Sequence, residues 1–377
     1  MLAPDLLMIC ADKERPVREV REGTPLVGAI GWGEVGPEKV SDVMVSYDHK
    51  GPLLTLTASR GAVLRCSPDH QCFGRLNPLY RHHYLYLMER SSLGFRVGLS
   101  SDLNRDIFAM QNLKLDLFNQ QEITDRLWLI ETTDSLVRAS FLEKLCVFKY
   151  GLPNVPFSGR HVESDLPDEL ILELFNQIDT PSRAHQMLMD WYMFEEFPHI
   201  TLRLSKAQPG ASSAIQFVIF GGTEKNRTKT NYAHLIRIDS AVELKRAEHQ
   251  QFKRRMGSQG MWNLEVTRDE LEEAQLFVKT LSCLDNLEVV RKIQLSKKAA
   301  FYILPASHLK VGMNVPILGN HGIEEDVIVS ISVEDYQGPL YDFRLAGLCN
   351  YNVGQWILMA FMGGSSRSPR RPDEPRI

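Results

Sequence analysis

Six cysteines, a histidine in a turn and a carboxylate inside an apolar strand are the residues of this chain that could do chemistry. Cys10 follows the apolar run LLMI and precedes the charged stretch ADKER. LRCSPDHQCF places Ser67 and His70 between Cys66 and Cys72. Asp342 lies between Tyr341 and Phe343 in GPLYDFRLA. A thiolate attacks carbonyls, an imidazole moves protons near neutral pH, and a carboxylate orients or deprotonates a neighbour. Each residue also has an ordinary structural reading. A cysteine after an apolar run is most often a buried small side chain. His70 in SPDH reads also as a turn histidine with a satisfied ring, and Asp342 as half of a structural ion pair. Cys66 and Cys72 read as core.

Composition limits the classes available. At 377 residues, two or three domains are the prior. A formal charge of −4 gives no overall pull toward nucleic acid or membrane, so any DNA contact must come from local patches. The start lacks a basic region followed by an apolar one, so no signal peptide is expected. No apolar run reaches the length of a membrane span. Cysteines scattered over a long chain argue for a reducing compartment, and the absence of a CxxC pair argues against zinc. A cytoplasmic monomer without membrane contact is the expectation.

The elements that must position these residues change style along the chain. Residues 10–75 read as short strands: VREVREGTPLVGAI, VMVSYDHKGPLLTLTA and GAVLRCSP alternate and are broken by Gly, Pro and Asp. YLYLM, FRVGLS and DRLWLIETT read as three strands, and SLVRASFLEKLCVFKYG as a helix. LPDELILELFNQI and TPSRAHQMLMDWYMFEEF predict two helices, the second opened by a Thr-Pro start. Strands AIQFVIFGG, HLIRIDS, MWNLEV and LEVVRKIQL alternate with helices over AVELKRAEHQQFKRRM and TRDELEEAQLFVKTLSCL. After residue 300 the short-strand style returns in LKVGMNVPIL, DVIVSISVEDYQGPLYDFRLA and NYNVGQWILMAFM. An all-β unit interrupted by a long α/β insertion is the simplest organisation, and its two β halves must pair across the insertion.

Those two halves resemble the Hint fold of inteins and hedgehog-type autoprocessing domains. Four stretches carry the resemblance. CADKERPVREVREGTPLVG is similar to an intein's opening block. LRCSPDHQCF is similar to the Thr-x-x-His block, with Ser67 in place of Thr and His70 as the His. VIVSISVEDYQGPLYDFRLA is similar to the late block that ends on Tyr-Asp, and CNYNVGQWILMAFM to the closing block. The resemblance implies a side-chain nucleophile at Cys10 that turns the preceding peptide into a thioester. It also implies protonation of the departing nitrogen by His70, and orientation or deprotonation by Asp342. The partners it implies are flanking host-protein segments, and it requires no cofactor.

The closing block departs from the pattern. Cys349 stands where a His is usual. Met359, Ala360 and Phe361 stand where His, the cyclising Asn and the acceptor nucleophile are expected. Alanine has no carboxamide to cyclise and phenylalanine accepts no acyl group. Splicing is expected to be lost, leaving at most a slow cleavage between Ile9 and Cys10.

The insertion resembles a degenerate GIY-YIG nuclease module over residues 84–143. Tyr84-Leu85-Tyr86 is similar to its first motif and Arg96-Val97-Gly98 to its second, with Arg96 where a Tyr is usual. Arg105 and Glu143 fall near the family's Arg and its single metal-binding Glu. The resemblance implies Mg2+ or Mn2+ on Glu143 if the module is live. The basic stretches KNRTKTNY and LKRAEHQQFKRRM suit contact with double-stranded DNA, or a solvated helix balanced by acids elsewhere.

The expected architecture is therefore a β plus α/β chain. A horseshoe-like Hint unit comes from residues 10–75 and 300–361. It is interrupted by a GIY-YIG-like unit over 80–160, a helical linker over 161–212 and an α+β sub-domain over 213–298. A disordered tail over 362–377 follows. The expected function is a degenerate autoprocessing domain. The alternative is a DNA-binding or homing-endonuclease protein that uses the Hint fold as a scaffold.

Overall fold

The computed structural model describes residues 1–77, 79–101, 124–159, 165–201, 214–227, 231–240, 250–256, 262–285 and 287–361. Among these residues the chain is a mixed, β-rich fold with four α-helices and no closed barrel.

The two ends of the chain interlock. Strand Glu34–Ala58 runs antiparallel to strand Gly322–Leu345, in register from Ile328 opposite Ala58 to Leu345 opposite Val40, with three irregularities. Strand Pro25–Gly31 folds back on Glu34–Ala58 through Trp32 and Gly33, both at positive φ. Two left-handed residues match the twist of a two-residue hairpin, and at Trp32 they strain a side-chain-bearing residue. Trp32 is held from outside: its Nε1–H donates to Phe220 O and Gly222 O at 3.0 and 2.8 Å. Strand Gln71–Gly74 lies between Phe301–Pro305 and Trp356–Met359, with Cys72 opposite both Leu304 and Leu358. Tyr351, Val353, Trp356, Ile357 and Leu358 are all buried in the shared core. Alternation of apolar residues put the strands in place locally, but only pairing across the insertion buries them.

The insertion carries a four-stranded sheet in the order Ile200–Thr201, Arg126–Thr133, His83–Arg90, Gly94–Ser100. Successive side chains of a strand point to opposite faces. Leu85, Leu87, Trp128 and Ile130 therefore meet helices α1 (Leu136–Tyr150) and α3 (Thr180–Asp190) through Leu142, Cys146, Ala184 and Met187. Tyr84, Tyr86, Leu127 and Leu129 meet Ile171 and Phe175 of α2 (Asp168–Gln177) on the other face. Helix α1 begins at Ser135, whose side chain accepts from Arg138 N–H at 3.3 Å, and ends at Gly151 with φ 67°. The Thr-Pro start of α3 lies one residue inside the cap. Asp179 accepts from Ser182 N–H at 3.2 Å, and the helix stops at Asp190, short of the expected Phe197.

Strands Ala214–Ile219, His234–Ser240 and Trp262–Arg268 form an antiparallel layer covered by α4 (Leu271–Asp285) through Ala274, Val278 and Leu281. The expected break near residue 299 is crossed by hydrogen bonding: Glu288–Ile293 pairs with Phe301–Pro305, so this layer continues the sheet of the chain ends. KRRM, expected to close a helix, is instead strand Lys253–Met256 at the sheet's outer edge. Residues 241–249 and 362–377 lie outside the described residues.

A buried seam joins the insertion to the C-terminal half. Thr132 Oγ1 donates to Val311 O at 2.9 Å. His199 accepts from Leu129 N–H through Nδ1 at 3.0 Å and donates through Nε2 to His308 O at 2.7 Å. His308 Nε2 accepts from Phe194 N–H at 2.8 Å.

Candidate functional site

Residues Met1–Ala3 run between two distant strands. Leu2 exchanges backbone hydrogen bonds with Tyr341, Ala3 N–H donates to Arg65 O, and Ser67 N–H donates to Met1 O at 2.8 Å. Within this three-way pairing the Met1 nitrogen donates to Ser67 Oγ. Ser67 in turn donates to the Asp69 carboxylate.

The turn that presents Ser67 is tightly held. His70 N–H donates to Ser67 O at 3.1 Å, and strand Phe301–Pro305 and its continuation pin the turn through Ala306 N–H to His70 O and Ser307 N–H to Pro68 O. His70 is buried, with Nδ1 3.6 Å from Asp342 Oδ2, an ion-pair distance beyond hydrogen-bond length. Among the described residues neither ring nitrogen has a hydrogen-bond partner. Burial and the Met1 amino group push His70 below its ordinary value, against the pull of Asp342 and Asp69, so the ring is neutral at pH 7. Burial pushes the Asp342 carboxyl up, but His70, the amino group and Phe343 N–H hold it below the usual range. Asp342 Oδ1 also accepts from Tyr351 O–H at 3.2 Å and Phe343 N–H at 2.8 Å, which fits an ionised carboxylate.

Ser67, His70 and Asp342 thus converge, and Cys10 is elsewhere. Cys10 sits in the hairpin of strands Leu7–Ile9 and Glu14–Pro16, bridged to Leu26. It is 4% exposed, its Sγ lies 3.9 Å from Met8 O, and burial raises its thiol although Arg15 opposes this. The residue beside Ser67 is Met1. Sequence reasoning missed Met1, Asp69 and Tyr351. Met1 carries no nucleophile to draw attention, and Asp69 was visible only as one acid in SPDH.

The closing strand ends near the same place. Ala360 N–H donates to Cys349 O at 2.8 Å, and Phe361 N–H to Phe343 O at 2.9 Å, one residue from Asp342. Met359 and Ala360 are buried, and burial pushes the Cys349 thiol up to about 12. Asn350, also missed, is fully buried and pairs with Ala29 like a strand residue: Oδ1 accepts from Ala29 N–H at 2.6 Å and Nδ2 donates to Ala29 O at 3.0 Å.

The insertion sets Tyr84 and Tyr86 apart from Glu143. Tyr84 and Tyr86 are buried on the sheet face opposite α1, and Glu143 lies on α1, half-buried. Tyr84 O–H donates to Tyr80 O. Arg96 is buried, its guanidinium 5.6 Å from the Phe157 ring centroid and 6.0 Å from that of Tyr86. Arg105 lies outside the described residues. Glu143 and the two tyrosines thus lie on opposite faces of the sheet, and among the described residues no three His, Cys, Asp or Glu group to hold a metal. The exposed row Lys253, Arg254 and Arg255 lies on an outer strand, where basic side chains ordinarily keep a sheet edge from pairing with another chain.

Among the described residues no helix is long and apolar enough to cross a membrane. No protein-family model matches the chain, and no curated protein matches it.

Proposed function

We propose that the two ends of the chain form a Hint-type, intein-like autoprocessing unit whose reactive end positions have been replaced. One observation supports this reading above the others: the Met1 backbone nitrogen donates to Ser67, in the turn that also carries the buried His70, whose ring stands 3.6 Å from Asp342. A carbonyl joined to that nitrogen would meet an imidazole able to handle a proton, which is the arrangement an acyl shift needs. Methionine's thioether carries no proton and cannot open a peptide to a thioester. At the other end Ala360 has no carboxamide. The position for an N-terminal shift is accordingly Met1, and Cys10 is a core thiol.

The test restores one atom group. A short peptide is fused ahead of Met1 and Met1→Cys is introduced. Dithiothreitol is expected to release the peptide, and His70→Ala in the same fusion to abolish release. The unaltered fusion is expected to remain whole, including between Ile9 and Cys10, and no joined product of flanking segments should appear by mass spectrometry. A folded Met1→Cys fusion that releases nothing would overturn the reading. The scaffold alternative, with double-stranded DNA as partner, would gain if that fusion stayed silent while the unaltered chain retarded DNA.

A further inference from the structure

Helix α1 buries Ala139, Leu142 and Cys146 against the insertion's sheet and leaves an apolar row on its opposite side. Val137, Phe141, Leu145 and Phe148 are 81%, 52%, 41% and 83% exposed. Their spacing stacks them along one side of the helix for about 16 Å. Single exposed apolar residues need no explanation, but a contiguous helical row does. Its borders are basic. Arg138 and Lys149 follow one edge and Lys144 the other, all exposed. Lys149 is paired with Asp190, and the Arg138 guanidinium lies 5.2 Å from the Phe141 ring centroid. The helix's only acid, Glu143, is half-buried on the side away from the row.

We infer that the outer face of α1 docks an amphipathic helix bordered by acidic residues. An apolar row read at helical spacing is the surface that helix recognition uses. The basic borders choose the partner's charge, because two copies of α1 laid together would set Arg138 and Lys144 against their own kind. Four side chains fall short of the roughly 800 Å² per partner of a standard stable complex, so the docking is weak and exchangeable. This inference stands independently of the autoprocessing reading.

The probe is a synthetic leucine-rich helical peptide with glutamate borders, fluorescently labelled and titrated with the full chain. A second peptide carries lysine borders on the same apolar face. Saturable binding of the glutamate-bordered peptide is expected, weakened by added salt and at least about tenfold by Phe148→Ser or Val137→Ser, exposed positions whose change spares the core. Lys144→Glu is expected to reverse the preference between the two peptides. Equal binding of both peptides, or no binding, would overturn the proposal. So would a dimer by sedimentation that Phe148→Ser dissolves, or uptake of the chain by anionic vesicles without peptide binding.

Discussion

His70 Nδ1 stands 3.6 Å from Asp342 Oδ2, and the pair is enclosed by strands from opposite ends of the chain. Burial keeps the imidazole neutral while Tyr351 and Phe343 N–H keep the carboxylate ionised. Removing the carboxylate by Asp342→Ala leaves the buried Tyr351 hydroxyl without its acceptor. The expected loss is about 1–3 kcal/mol of unfolding free energy in urea. An unchanged urea midpoint would show that Tyr351 finds another partner.

Asn350→Ala tests a different kind of bond. It strands both the N–H and the C=O of Ala29 in the core. Two orphaned backbone groups predict a larger loss than at Asp342, on the order of 3 kcal/mol. Asn350→Asp is expected to destabilise as well, because Ala29 O would face an acceptor.

Stability should fall in mild acid. Burial lowers His199 and His234 to about 4, and His308 well below its ordinary 6.5. The His199 and His234 rings are then neutral when folded and protonated when unfolded over the window from 6.5 down to about 4, and His308 acts in the same direction. The unfolded chain binds more protons there, so stability is lost as pH falls through that window. By pH 5 the loss is about 2 kcal/mol for each of His199 and His234. Lys310, lowered to about 8, is protonated in both states below neutrality and adds nothing to this slope. Urea midpoints at pH 7 and pH 5 measure the effect, and His199→Gln should flatten it by one group's share. Equal midpoints at the two pH values would contradict the burial of these rings.

Thiol reactivity separates Cys283 from the other cysteines. Cys283 is exposed, whereas Cys10, Cys66, Cys72, Cys146 and Cys349 are buried. A single fast phase is expected when the folded chain meets an aromatic disulfide reagent, and Cys283→Ser should remove it. A fast phase that instead disappears with Cys10→Ala would return Cys10 to candidacy as a nucleophile.

Much of the local structure was legible because it depends on neighbours in the chain. YLYLM, FRVGLS and RLWLIETT became strands, and LVRASFLEKLCVFKY became a helix with its serine and glycine at the ends. KRRM was misread because four charged or flexible residues satisfy a helix as well as an edge strand. Its pairing with Trp262–Arg268, not its own preference, decided the outcome.

The sequence by itself determined which side chains could react, and that Ala360 and Phe361 could not. It also placed His70 in a turn and Asp342 on an apolar strand. Only the tertiary structure decided which residue lies against the turn that carries His70. Cys10 had the right chemistry, yet its own hairpin buries it against Leu26. Met1 lies against Ser67, because Leu2 and Ala3 pair at once with Tyr341 and Arg65, partners separated by most of the chain. Position beside the Ser67 turn is set by those long-range hydrogen bonds, and no local pattern around residue 1 or residue 10 encodes them.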